Sequence, residues 1–212
     1  MNYQPDYEYL PPLGRHFLTP VYDLACSLMG LGGGFKRKVA NSINLNGNET
    51  VLDVGCGTGI LLEILKKKYP DINAIGVDPD RRALTIAHER LRKAGVKVEL
   101  KQAFGEALPN PGESVDICFS TLAFHHMPEP IKFKTLREIH RVLKKGGRLL
   151  ISDFNKGDNL LFRSFLRLFE KIEYVRDNIG GLMMELLPRA GFRDIKVIFK
   201  KFPNIQSVLA HK

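Results

Sequence analysis

Val51-Leu52-Asp53-Val54-Gly55-Cys56-Gly57-Thr58-Gly59 decides the reading of this chain. Val51–Val54 is a short apolar strand that runs into a glycine-rich turn. Ile60–Lys68 then carries Ile60, Leu61, Ile64 and Leu65 at helical spacing. Glycines between a strand and a helix let the backbone approach a ligand that side chains would exclude. The helix N-terminus behind them favours negative charge. A pyrophosphate-binding turn uses the spacing GxGxxG, whereas this one is GxGxG with Asp53 two residues ahead of it. A carboxylate repels a pyrophosphate but suits a ligand carrying an ammonium or a sulfonium. The charge pattern therefore speaks against NAD and for S-adenosylmethionine.

Working outward, the same strand–helix rhythm continues. Ala74–Val77 is a second strand closed by Asp78, 19 residues after Gly59, where an acid can accept hydrogen bonds from both hydroxyls of a ribose. On its own, Asp78 before Pro79 reads as a turn residue; the ordered set of Asp53, glycines and Asp78 outweighs that. A helix over Arg81–Ala94 stops at Gly95. Strands follow at Val96–Leu100 and Val115–Phe119, then a helix at Ile131–Leu143 and a strand at Arg148–Ser152. This alternation predicts an α/β fold with a parallel sheet and helices on both faces. Ahead of it, residues 1–49 read as an amino-terminal helical arm, with helices around Val21–Met29 and Lys36–Ile43. Behind it, a helical insert at about 157–190 (Leu160–Val175, then Gly181–Ala190) is expected to cover the substrate. Phe192–Phe199 and Ile205–His211 are joined too tightly for a parallel crossover, so the last strand is expected to be antiparallel.

VLDVGCGTG at 51–59, GVDPD at 76–80, GEALPNPGESVDICFS at 105–120 and LREIHRVLKKGGRLLISDF at 136–154 resemble the motifs of class I S-adenosylmethionine-dependent methyltransferases. The similarity is greatest to the type 11 group, which includes the ubiquinone/menaquinone biosynthesis C-methyltransferases. It covers about Thr50 to Phe154. VYDLACSLMGLGGGFKRKVA is loosely similar to the amino-terminal arm of that group, and LLPRAGF to the segment before strand six. The resemblance implies that the arm over residues 1–49 is a lid. The resemblance implies a Rossmann-like, mostly parallel seven-stranded sheet with an antiparallel last strand, and S-adenosylmethionine as cofactor. Asp53, Gly55 and Gly57 would hold its methionine end, Cys56, Thr58 and Gly59 would shape the turn, and Asp78 with Pro79 would hold the ribose. Related sequences often place an acid after strand three against the adenine amine; here Phe104 stands there. Backbone groups of Ala103, Phe104 and Gly105, or the Glu106 carboxylate, would serve instead. Ser120, Thr121 and Leu122, at the carboxyl end of the fourth strand, are expected to line the cofactor and substrate side.

Methyl transfer from a sulfonium needs no metal for its leaving group, and no set of hard oxygen ligands is evident, so no metal is expected. His125 and His126, in FHHMPEP, are the candidates for a base or a substrate contact. The alternative is that one of them orders the loop before Pro128. Tyr22, and less strongly His16, could reach the substrate from the arm; His140 reads as structural and Cys118 as core. The apolar excess at Leu160–Phe169 reads first as core packing; beyond that it points to a hydrophobic or lipid-like acceptor, a small apolar or aromatic molecule, and allows peripheral contact with a membrane surface.

The 212 residues suffice for one domain with additions, and 44% hydrophobic with 26% charged residues describe an ordinary globular chain. The net charge of +9 is spread along the sequence rather than gathered in a block. Together with the lack of an NPPY-like tetrad, this makes a nucleic-acid methyltransferase the weaker alternative. A non-catalytic cofactor-binding protein on the same fold is the other. Cys26, Cys56 and Cys118 form no framework, no apolar run reaches about 20 residues, and no signal segment is evident, so a cytoplasmic protein is expected. The oligomeric state and the acceptor atom are left open.

Overall fold

The computed structural model describes residues 30–154, 181–201 and 205–212. The elements are α1 (Gly33–Asn41), β1 (Thr50–Val54), α2 (Ile60–Lys68), β2 (Asn73–Asp78), α3 (Arg81–Lys93), β3 (Glu99–Gln102), β4 (Val115–Thr121), α4 (Glu129–Val142), β5 (Leu143–Phe154), α5 (Leu182–Arg189), β6 (Arg193–Lys201) and β7 (Ile205–His211). The expected helices at Val21–Met29 and Leu160–Val175, and Tyr22 and His16, lie outside the described residues.

Seven strands form one sheet in the order β3-β2-β1-β4-β5-β7-β6. The pairs from β3 to β5 are parallel, and β7 runs antiparallel to both β5 and β6. The sheet is thus the mostly parallel one with a reversed last strand. Parallel strands covered on both faces read as continuous apolar runs rather than alternating ones, as in Val51–Val54 and Ile117–Phe119. Successive side chains still point to opposite sides. Val51, Ile117, Phe119 and Leu150 pack with Phe35, Val39, Leu61, Leu62 and Leu65 of α1 and α2. Leu52, Val54, Cys118, Leu149 and Ile151 pack with Leu136 and Ile139 of α4 and Met183 and Leu186 of α5. α1 falls in the segment read from sequence as an arm; it lies in the core cluster with residues of β1, β2, β4, β5 and β7.

Several boundaries differ from the sequence reading; α1, read at Lys36–Ile43, runs over Gly33–Asn41, and three other differences have a clear cause. β3 starts at Glu99, three residues later, because Ile75 of β2 pairs with Glu99. Val96 and Val98 are packed against the core from a loop, so their β-branched character marked burial and not pairing. α4 starts at Glu129, two residues early, with Pro128 as N-cap and Pro130 in the first turn, where a missing N–H costs nothing. β5 begins at Leu143, which pairs with Val115 before the ladder slips and resumes at Arg148 opposite Ile117.

Candidate active site

The carboxyl ends of β1, β2 and β4 meet on one edge of the sheet, where the strand order reverses and α/β sheets bind ligands. A cavity opens there. Its walls come from the Gly55–Thr58 turn, Asp78–Asp80, Ala103–Glu106, Thr121–Ala123 with His126 and Met127, and Leu31, Gly32 and Lys36 of the segment before β1.

The turn is built for close approach. Gly55 has φ +74°, and a Cβ there would collide with the Ala123 side chain. Its N–H, with that of Cys56, donates to the Val77 carbonyl at 2.8 and 3.1 Å, which ties the turn to β2. Asp78 braces it from the other side: Oδ2 accepts from the Gly57 N–H at 2.8 Å and Oδ1 from the Asp80 N–H at 2.8 Å. Asp80 then caps α3 by accepting from the Arg82 N–H. Leu122, a cavity residue, takes φ +58°, a left-handed conformation that is costly for a branched side chain and concentrates at functional sites.

Of the cofactor candidates, Gly55, Cys56, Gly57, Thr58, Asp78, Pro79, Ala103, Phe104, Gly105 and Leu122 line this cavity together. Asp53, Gly59 and Ser120 are not in its wall. Ser120 donates from Oγ to the Val54 carbonyl at 2.8 Å and so holds β4 against the end of β1. Gly59 is the left-handed N-cap of α2, with Ala87 of α3 close beside it. Asp53 is buried beneath the turn, and its Oδ1 has no hydrogen-bond partner among the described residues. Burial, and then the neighbouring Asp78, push its carboxyl up to about 7 against the opposing pull of Lys36. Burial likewise raises Asp78 to about 6, although the two N–H groups it accepts oppose this. The Cys56 thiol is pushed well up by burial and by both carboxylates, so it is a packing group and not a nucleophile.

The two histidines part company. His126 lines the cavity. Burial, then His125 and Lys132, hold its imidazole well below the usual range, so it is neutral and only a weak base. His125 does not line the cavity. Its Nδ1 lies 2.8 Å from Asp153 Oδ1, with both side chains almost fully buried, and its ring sits 4.0 Å from that of His126. Asp153 also accepts from the N–H groups of Phe124, His125 and Phe154. Burial would raise its carboxyl, but His125, the Phe154 N–H and Lys132 outweigh that and keep it low. This places His125 and Asp153 in the frame of the Phe124–His126 turn and His126 at its surface. His140 packs edge-on to Phe192 at 5.3 Å, away from the site.

Sequence reasoning missed Asp153, Asp80, Met127 and Lys36. Asp153 had a signal in its position near the end of the fifth strand. Lys36 had none, because one lysine in a basic helix looks like any other.

An orphaned carboxylate under a glycine cradle, with a second acid at the end of the next strand, fits a ligand bearing an ammonium, a sulfonium and a ribose. Among the described residues no group of three or more His, Cys, Asp or Glu comes together to hold a metal. Residues 51–147 match the model of a methyltransferase domain family. Over 204 residues the chain is 29% identical to the ubiquinone/menaquinone biosynthesis C-methyltransferase of Syntrophotalea carbinolica, covering 95% of this chain and 82% of that one.

The chain is an S-adenosylmethionine-dependent methyltransferase.

The demethylmenaquinone methyltransferase of Lactobacillus johnsonii is 30% identical over 161 residues, 72% of this methyltransferase and 65% of its own length. A solved S-adenosylmethionine-dependent methyltransferase from Aquifex aeolicus superimposes with a TM-score of 0.63 at 26% identity, covering 83% and 88% of the two chains. In this methyltransferase, Asp53 and the Gly55–Gly57 turn could hold the methionine end of the cofactor and Asp78 its ribose. The cofactor supplies an electrophilic methyl group on a sulfonium.

Proposed function

We propose that this methyltransferase acts on a lipid-soluble quinone-type acceptor in its reduced, electron-rich form, and methylates a ring carbon. The single observation that carries the reading is the lining of the cavity. Besides the acids Asp78 and Asp80 it includes the apolar side chains of Leu31, Leu122, Ala123 and Met127 and one neutral imidazole, His126. The names of the relatives, a ubiquinone/menaquinone biosynthesis C-methyltransferase and a demethylmenaquinone methyltransferase, support the acceptor class. Such an acceptor needs an apolar wall and one group that takes a proton. The acceptor carbon forms the new bond as the carbon–sulfur bond breaks, and His126, a weak base, takes the strongly acidic proton that the methylated cationic ring releases as it regains aromaticity. His125, held by Asp153, keeps His126 in place.

The test is turnover of a demethylmenaquinol in detergent micelles, followed by mass spectrometry for the methylated product. His126→Ala should lower the rate by about 10²–10⁴-fold with S-adenosylhomocysteine binding retained. Full turnover in that variant would remove His126 from the chemistry. Methylation of polar phenols but of no quinol would refute the acceptor class.

A further inference from the structure

We infer that Lys36 of α1 receives the carboxylate of the cofactor's amino-acid end and so sets where the methyl-bearing sulfur lies along the cavity. The inference rests on S-adenosylmethionine as the cofactor.

The amino-acid end of that cofactor carries one ammonium and one carboxylate, and a site that holds it must answer both charges. Asp53, buried beneath the glycine turn, would answer the ammonium through its field, while Asp78 is placed for the ribose. Among the described residues that line the cavity, Lys36 is the one lysine or arginine. Its Nζ lies 3.3 Å from the Thr121 carbonyl at the end of β4, across the cavity edge from the glycine turn that follows β1. The same ammonium is close enough to Asp53, Asp78 and Cys56 to pull all three down. It therefore stands beside the turn that would cradle the methionine end.

The helix under Lys36 makes this a fixed placement. Phe35, Val39 and Ala40 are buried in the core shared with α2 and β1, and Phe35 meets Phe199 of β6 edge-on at 6.4 Å. With its backbone anchored on both sides, Lys36 has only its own stem to order when a ligand arrives, and pre-organisation of this kind favours affinity. α1 precedes the segment 51–147 that matches the methyltransferase family, so the cation is contributed by chain that lies ahead of the matched domain. The rival recipient for the carboxylate is the set of N–H groups at the N-terminus of α2, reached through Thr58 and Ile60 of the cavity wall.

Ligand truncation separates these. Calorimetry on the whole chain would compare S-adenosylhomocysteine, its decarboxylated analogue and 5′-methylthioadenosine, which lacks the amino-acid end. Lys36→Gln should weaken S-adenosylhomocysteine by about tenfold or more while leaving the other two within about twofold of wild type. Lys36→Arg should restore most of the loss. An equal loss for all three ligands would make Lys36 a structural residue and overturn the assignment. No loss for S-adenosylhomocysteine would give the carboxylate to the N-terminus of α2. Failure of the wild type to bind any of the three would overturn the cofactor site itself, and this assignment with it. A failed acceptor screen alone would leave the binding result standing.

Discussion

Acidification from pH 8 to pH 6 should weaken cofactor binding, and the size follows from two buried acids. Asp53 is 1% exposed, and burial with Asp78 lifts its carboxyl to about 7 despite Lys36. The cofactor ammonium favours the ionised carboxylate. With that midpoint, about nine-tenths of Asp53 is ionised at pH 8 and about one-tenth at pH 6, so apparent affinity falls about tenfold. Asp78, raised to about 6 by burial, is half protonated at the lower pH and contributes about a further twofold. Together these amount to roughly 20-fold, or about 1.8 kcal/mol of binding free energy. Both acids are raised, so the binding-competent form appears as pH rises through about 6 to 7 and is lost as pH falls. His126, kept neutral mainly by burial, adds no step in this window. The assay is calorimetric titration with S-adenosylhomocysteine across that range at constant ionic strength. In Asp53→Asn the larger step should vanish, leaving only the roughly twofold contribution of Asp78, and affinity at pH 8 should drop toward the wild-type value at pH 6. A flat wild-type profile, or an equally steep one in Asp53→Asn, would refute the reasoning.

Three further outcomes are expected. Asp78→Ala removes a carboxylate that braces the turn through the Gly57 N–H and, on the proposed placement of the cofactor, faces its ribose. It should weaken S-adenosylhomocysteine at least about tenfold, since bonds to a charged acceptor contribute about 1.5–3 kcal/mol, and an unchanged dissociation constant would free Asp78 from that role. Gly55→Ala combines a positive φ with a collision against Ala123. Urea denaturation should show a loss of about 2–5 kcal/mol, whereas a wild-type midpoint would mean the turn relaxes freely. Asp153→Ala strands the N–H groups of Phe124, His125 and Phe154 and leaves buried His125 without its carboxylate. It should cost about 3–5 kcal/mol in the same experiment, and a loss below about 1 kcal/mol would show that water or a neighbour replaces the carboxylate.

Local chemistry was legible from the residues wherever one residue type answers one backbone demand. Gly55 and Gly59 occupy left-handed turns, and Asp78 stands at the strand end where its carboxylate reaches the turn. The apolar runs of β1 and β4 announced strands covered on both faces, and the tight connection before Ile205 announced the reversed strand. β3 was placed three residues early because apolarity reports burial, while the ladder with β2 decides where pairing begins.

The sheet, its helices and the glycine turn with its acids follow from the residues alone, because strand and helix periods and turn conformations are properties of contiguous residues. Packing between distant elements selects which histidine faces the cavity. His125 and His126 are chemically identical neighbours, and the choice between them is made by Asp153, 28 positions away along the chain from His125. The same packing sets Ser120 behind the turn and brings Lys36 to Thr121 across 85 positions. Contacts of this kind depend on how separate elements pack, and no local pattern encodes the direction in which a packed side chain points.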